Sequence, residues 1–127
     1  MKENEITNKI IQTSIEIHKN LGPGLLESVY EKCLQRDLQE LGLHVVSQLG
    51  VPLQYKDQNF EIGYRLDLLV ENKIIIEIKS IENLAPVHFS QLLTYLKLMD
   101  KRVGLLINFN SKYLKEGLHR LVNNYQD

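Results

Sequence analysis

The chain has a single cysteine, Cys33, which excludes an internal disulfide and leaves too few thiols for a cysteine zinc site. Cys33 sits among apolar helix positions, where a packing role is expected. Long apolar runs are missing too. The uninterrupted ones extend over only a few residues, against the roughly 20 needed to cross a bilayer, and the opening "MKENEITNK" lacks the apolar stretch of a signal peptide. A cytoplasmic protein is expected. Nor does one sign of charge dominate: 15 Lys and Arg face 16 Asp and Glu, so no general electrostatic pull towards nucleic acid exists. Repeats, low-complexity tracts and linkers are absent as well. Residues 1–127 therefore read as one domain, large enough to bury a core and too small for two.

What is present is a succession of amphipathic segments. Ile6, Ile10, Ile17 and Leu21 recur at helical spacing over residues 5–21, and "GPG" at 22–24 ends that helix. A second helix is predicted from Leu25 to Leu41, with Leu26, Val29, Tyr30, Cys33, Leu34, Leu38 and Leu41 as its stripe and Gly42 as its cap. "HVVSQLGVPLQY" at 44–55 is β-rich but interrupted by Gly50 and Pro52, which predicts an edge or bulged strand. "KDQN" at 56–59 reads as a turn, followed by the strands "FEIGYRLDLLV" and "IIIEIKS". Pro86 opens a third helix with Phe89, Leu92, Leu93, Leu96 and Met99 on its apolar side. "VGLLINF" at 103–109 is a buried strand, and a helical turn near Tyr113–Lys115 precedes an edge strand around Leu118–Val122. The order predicts an α/β fold with a mixed central sheet flanked by helices.

Within the hairpin "YRLDLLVENKIIIEIKS" at 64–80, three charges stand where a core would take aliphatic residues. Side chains alternate along a strand, so Glu77 and Lys79 share a face with Ile75, and Asp67 shares one with Leu69 and Arg65. A three-residue loop, Glu71-Asn72-Lys73, pairs Val70 with Ile74 and sets Asp67 opposite Glu77 and Arg65 opposite Lys79. Two carboxylates facing each other repel unless a cation lies between them. Two readings stay open on pattern alone: a divalent metal held by the acids, and a salt-bridged hairpin in which Lys79 or Arg65 neutralises them.

Asp67 in one strand, the Glu-x-Lys "EIK" at 77–79 in the next, a preceding helix bearing a Glu and a following helix with "QLLTY" together resemble the PD-(D/E)XK nuclease superfamily. More narrowly, "GLLESVY" at 24–30 is similar to the Gly-x-x-Glu-x-x-Tyr signature of the GxxExxY family of small bacterial and archaeal proteins within that superfamily. The resemblance implies a restriction-endonuclease-like α-β-β-β-α-β core. It implies a metal, Mg²⁺ or Mn²⁺, held by Asp67, Glu77 and Glu27, with Lys79 as the catalytic lysine. Leu66 replaces the Pro that usually precedes the motif Asp. Position alone gives Glu27 a simpler reason, since a carboxylate in the first turn suits the helix dipole.

Gln91 and Tyr95 lie four apart on one face of the third helix, with His88 a turn earlier. That face is expected to be polar, opposite the leucines, so that Gln91 and Tyr95 support the catalytic group; the plainer reading is a solvated face. Residues 97–127 carry an excess of cations, among which Lys97, Lys101 and Arg102 are candidates for phosphate contact. The expected function is metal-dependent phosphodiester hydrolysis of nucleic acid, with DNA as the expected substrate. Lys79 would position the attacking water. The competing expectations are a non-catalytic nucleic-acid- or partner-binding module of the same fold, and hydrolysis of small phosphate esters. A domain this small could also pair as a homodimer to frame a duplex.

Overall fold

The computed structural model describes residues 1–60 and 64–125. Two helices come first, α1 (Glu3–Leu21) and α2 (Glu27–Glu40). Ile6, Ile10, Ser14 and Ile17 form the buried stripe of α1, and Tyr30, Leu34 and Leu38 that of α2. Leu26 and Leu41, expected on the α2 stripe, flank the helix and are exposed. Gly42 ends α2 in the left-handed region at φ 85°. Its N–H donates to Gln39 O and that of Leu43 to Leu38 O, a Schellman closure that satisfies two terminal carbonyls.

Among the described residues seven strands follow: β1 (Val45–Gly50), β2 (Leu53–Tyr55), β3 (Gln58–Phe60), β4 (Arg65–Val70), β5 (Ile74–Lys79), then α3 (Pro86–Leu98), β6 (Val103–Asn108) and, after a 3₁₀ turn at Leu114–Gly117, β7 (Leu118–Val122). Five form one mixed sheet in the order β1-β4-β5-β6-β7. Only β5 and β6 run parallel, and α3 is the crossover that a parallel pair requires. The expected break near Pro52 goes further than a bulge. β2 and β3 pair with each other as a separate ribbon, turned at Lys56 and Asp57, so Gln58 and Asn59 are strand residues rather than turn. Part of the strand predicted from Phe60 to Val70 lies outside the described residues.

The sheet is buried on both faces. Leu68, Val70, Ile74, Ile76, Ile78, Leu105 and Ile107 pack towards α1 and α2. Leu69, Ile75 and Leu106 pack with Leu92, Tyr95 and Leu96 of α3. Close approach of α3 depends on Gly104 of β6, where a Cβ would lie 3.0 Å from Leu92 Cδ1 and 3.3 Å from Ile75 O. One buried residue breaks the apolar run of β5, and it is Glu77.

Candidate active site

The β4–β5 ladder pairs Val70 with Ile74, Leu69 with Ile75 and Leu68 with Ile76, then stops. Continued by one residue, that register would oppose Asp67 and Glu77. There the two strands part and side chains replace the main-chain rungs. Glu77 Oε2 accepts from Asp67 N–H at 2.9 Å, and Asp67 Oδ2 accepts from Ile78 N–H at 2.7 Å. Each carboxylate thus holds the other residue's strand, a reciprocal latch across the fork. Beyond it β4 stays with β1, where Arg65 pairs with Gly50, and β5 stays with β6, where Lys79 pairs with Asn108. The expected facing of Arg65 and Lys79 is therefore lost to the fork.

Strict alternation also fails at this point. Leu66 packs in the α3-side cluster together with Leu69, an odd separation, while Leu68 and Val70 belong to the opposite cluster. Across from Asp67, Gln48 of β1 takes a left-handed backbone at φ 54°, unusual for a residue with a side chain. Its amide Nε2 donates to Glu31 Oε1 at 2.9 Å and lies 3.4 Å from Asp67 Oδ1. Ser47 Oγ donates to the other Glu31 oxygen at 3.3 Å. Asp67, expected simply on the Leu69 face, instead reaches through Gln48 to a carboxylate on α2.

Electrostatics follow from this crowding. Glu77 is 5% exposed, and burial, reinforced by the Asp67 charge, pushes its carboxyl up to about 8. The Asp67 N–H and the Lys79 charge pull the other way and do not prevail. Burial and the neighbouring Asp67 also raise Glu31, against the hydrogen bonds from Gln48 and Ser47. Tyr95 is raised by burial and then by Glu77, Tyr64 and Asp67, so it remains a protonated phenol. Among the described residues the side-chain ion pairs join Arg36 to Asp37 and Glu40, and none closes between Lys79 or Arg65 and the two acids. A salt-bridged hairpin is not what this fork contains.

The remaining candidates are distributed unevenly around it. Lys79 is half-buried two residues beyond Glu77 on β5, and its charge favours the ionised form of that carboxyl. Tyr95 is not on a polar face as expected: it is 3% exposed, packed with Leu92 and Leu96, and its ring lies 5.8 Å from that of Tyr64. Gln91 is half-buried one turn before it. His88 is accounted for locally, its Nδ1 accepting from Ala85 N–H at the head of α3. Glu27 is exposed at the start of α2, beside Ser80, which donates to Leu25 O. It does not join the pair, for among the described residues no group of three or more His, Cys, Asp and Glu converges to hold an ion. Tyr30, by contrast, is wholly buried and structural. It stacks on Phe109 at 4.5 Å, and its hydroxyl donates to Gly22 O and accepts from Leu25 N–H, closing the loop that delivers Glu27.

Lys101 donates to Asn72 Oδ1 at 3.2 Å, beside the hairpin turn, and Arg102 is its exposed neighbour. Both precede β6, Lys101 seven and Arg102 six residues before Asn108, the partner of Lys79, or about 20–23 Å along the strand direction. Lys97 is exposed in the last turn of α3. Sequence reasoning missed Glu31 and Gln48. A signal for Glu31 was present in its position four residues after Glu27, on the same helical face; Gln48 had none, because its role depends on a backbone conformation.

The donor set suits a hard divalent cation. Two adjacent carboxylates, Glu77 buried and Asp67 half-buried, supply oxygen ligands and carry a repulsion that a cation relieves, and Mg²⁺ characteristically binds one or two carboxylates and keeps several waters. Among the described residues no helix is long and apolar enough to cross a membrane. Neither the curated proteins nor the solved structures contain a significant match. The family model of the PD-(D/E)XK nuclease superfamily, whose members are generally nucleases, matches residues 4–121. With a five-stranded mixed sheet flanked by helices and an Asp67 and Glu77-x-Lys79 constellation at its fork, the chain belongs to the PD-(D/E)XK nuclease superfamily and has a restriction-endonuclease-like fold.

Proposed function

We propose that this protein is a metal-dependent phosphodiesterase acting on DNA, in which Asp67 and Glu77 hold Mg²⁺ or Mn²⁺ and Lys79 positions the attacking water. The observation that carries the reading is the latch: the sheet gives up main-chain rungs at the place where two carboxylates meet, although an apolar continuation would be more stable. The spacing Gly24-x-x-Glu27-x-x-Tyr30 supports assignment to the GxxExxY branch of the superfamily. Glu27 serves in this reading as an outer acid of the site.

A bound divalent ion supplies Lewis-acid stabilisation of the phosphate and acidifies a water. The protein's own groups do the rest. Lys79, one alternation beyond Glu77, orients the water and offsets charge gathering on a non-bridging phosphate oxygen. Gln91, a turn from Tyr95, orients water or phosphate at the α3 side. Tyr95 donates its phenolic proton towards the Glu77 side of the site and keeps that wall dry. Gln48, anchored on Glu31, steadies Asp67.

Calorimetric titration of Mg²⁺ and Mn²⁺ into wild type and Asp67→Ala, with cleavage of labelled DNA followed in parallel, tests this. Expected are metal binding by the wild type, its loss in the variant, and a fall in cleavage of at least about 10³-fold, the scale of removing a central electrostatic group. Asp67→Ala keeps the backbone N–H that Glu77 accepts from, so the fold should persist. Metal binding without any cleavage would point to a binding module, and absence of metal binding would overturn the reading outright.

A further inference from the structure

The β2–β3 ribbon, and Tyr64 just before β4, leave aromatic rings at the surface. Tyr55 is 63% exposed, Phe60 41% and Tyr64 56%. In the ribbon Leu53 pairs with Phe60 and Tyr55 with Gln58, and pairs two residues apart share a face, so Tyr55 and Phe60 lie on the same side. Lys56 places its ammonium 5.4 Å from the centre of the Tyr55 ring. Between ribbon and helix lies a cleft of about 590 Å³, lined by Val51, Pro52, Leu53, Phe60 and Leu98 among others. That is the size range of small-ligand sites. The ribbon is tied to the site, because Val51 N–H donates to Tyr64 O at 2.7 Å and the Tyr64 ring rests against Tyr95, which lies beside Glu77.

We infer that the exposed rings of Tyr64, Phe60 and Tyr55 are base-stacking positions and that the substrate of this site is a single-stranded polynucleotide. The inference rests on the phosphodiesterase reading and gives it a substrate class. Exposed aromatic rings beside few cations suit unpaired bases, whose π-faces stack irrespective of sequence. A duplex hides those faces and is held chiefly through its phosphates. The candidate phosphate cations Lys101 and Arg102 stand by the hairpin turn, away from the fork. A base stacked on Tyr64 lies on the Tyr95 side of the site, and Tyr55 and Phe60 offer further rings on one side of the ribbon.

The test is equilibrium binding of fluorescent oligonucleotides to Asp67→Ala protein in EDTA, comparing a single-stranded DNA, the corresponding duplex and an RNA of the same sequence. The single-stranded DNA and the RNA should each bind at least tenfold more tightly than the duplex. Added Tyr55→Ala or Tyr64→Ala should weaken that binding roughly 5- to 150-fold, the range for loss of one stacked base. Tyr64→Phe should retain it. The slope of log affinity against log salt should be no steeper than about −2, as for three phosphates on a single strand. Duplex binding as tight as that of the single strands overturns the inference, as does an affinity unchanged within twofold in both alanine variants at wild-type melting temperature. Failure of the phosphodiesterase reading would look different: tyrosine-dependent binding of single strands, with no cleavage by wild type in Mg²⁺ or Mn²⁺.

Discussion

The two ends of the β4–β5 hairpin share strands and register but differ in what closes them. At the turn end, three rungs from Val70–Ile74 to Leu68–Ile76 join wholly or nearly wholly buried aliphatic residues. At the fork end, one residue further, the rungs are made by Asp67 and Glu77 side chains. The first arrangement is cheap to bury and needs nothing else. The second costs desolvation and like-charge repulsion, and the protein meets the cost locally, with hydrogen bonds from Asp67 N–H, Ile78 N–H and the Gln48 amide. Stability and chemistry are thus separated by a single step along one ladder.

The comparison can be broken most forcefully at its apolar end. Ile76→Ala removes a fully buried side chain and should cost about 2–5 kcal/mol in denaturant unfolding. Metal affinity of the surviving folded protein should change little. A large loss of metal affinity at wild-type stability would mean that the two ends are not separable.

The fork end should respond to pH with the opposite sign from an ordinary salt-bridged acid. The folded protein holds the Glu77 proton up to about 8, above the ordinary glutamate value of 4.5, so folding binds a proton. The stabilisation is complete below the unfolded value and is lost as pH rises through that window. Metal-free wild type should therefore lose up to about 1.4 kcal/mol of stability per pH unit between the two values. Glu77→Gln, neutral throughout, should gain on the wild type as pH rises from 5 to 8. Thermal melts of both proteins in EDTA across that range measure it, and parallel curves would refute the burial argument. Mildest of all should be Gln48→Ala, which leaves both ligands and removes the amide between Glu31 and Asp67. A loss of about 10- to 100-fold in Mg²⁺ affinity is expected, the usual scale for groups that orient ligands. Calorimetry showing an unaltered affinity would reduce Gln48 to a turn residue.

Much of this site was legible before any coordinates. Period-two alternation and the three-residue turn "ENK" were enough to set Asp67 against Glu77, because strand register follows from loop length and the burial of one face. Gly42 and the α2 stripe about Tyr30, Leu34 and Leu38 were equally readable, being local. What was not legible is tertiary. The parting of β4 from β5 depends on each strand's preference for its other neighbour. Gln48 acts through a left-handed backbone that no composition signals. Tyr95 was misplaced because a helix carries an apolar stripe wider than its leucines, and a phenol can lie within it with its hydroxyl towards a polar site. The split at Pro52 was visible, yet the ribbon made from the two short strands beyond it was not.

The latch also has a consequence for how mutation reads out at this place. Each acid accepts from a main-chain N–H of the opposite strand, so replacing either one removes a rung of the sheet together with a charge. Fork and candidate site are one object, and whatever loosens the first displaces the second.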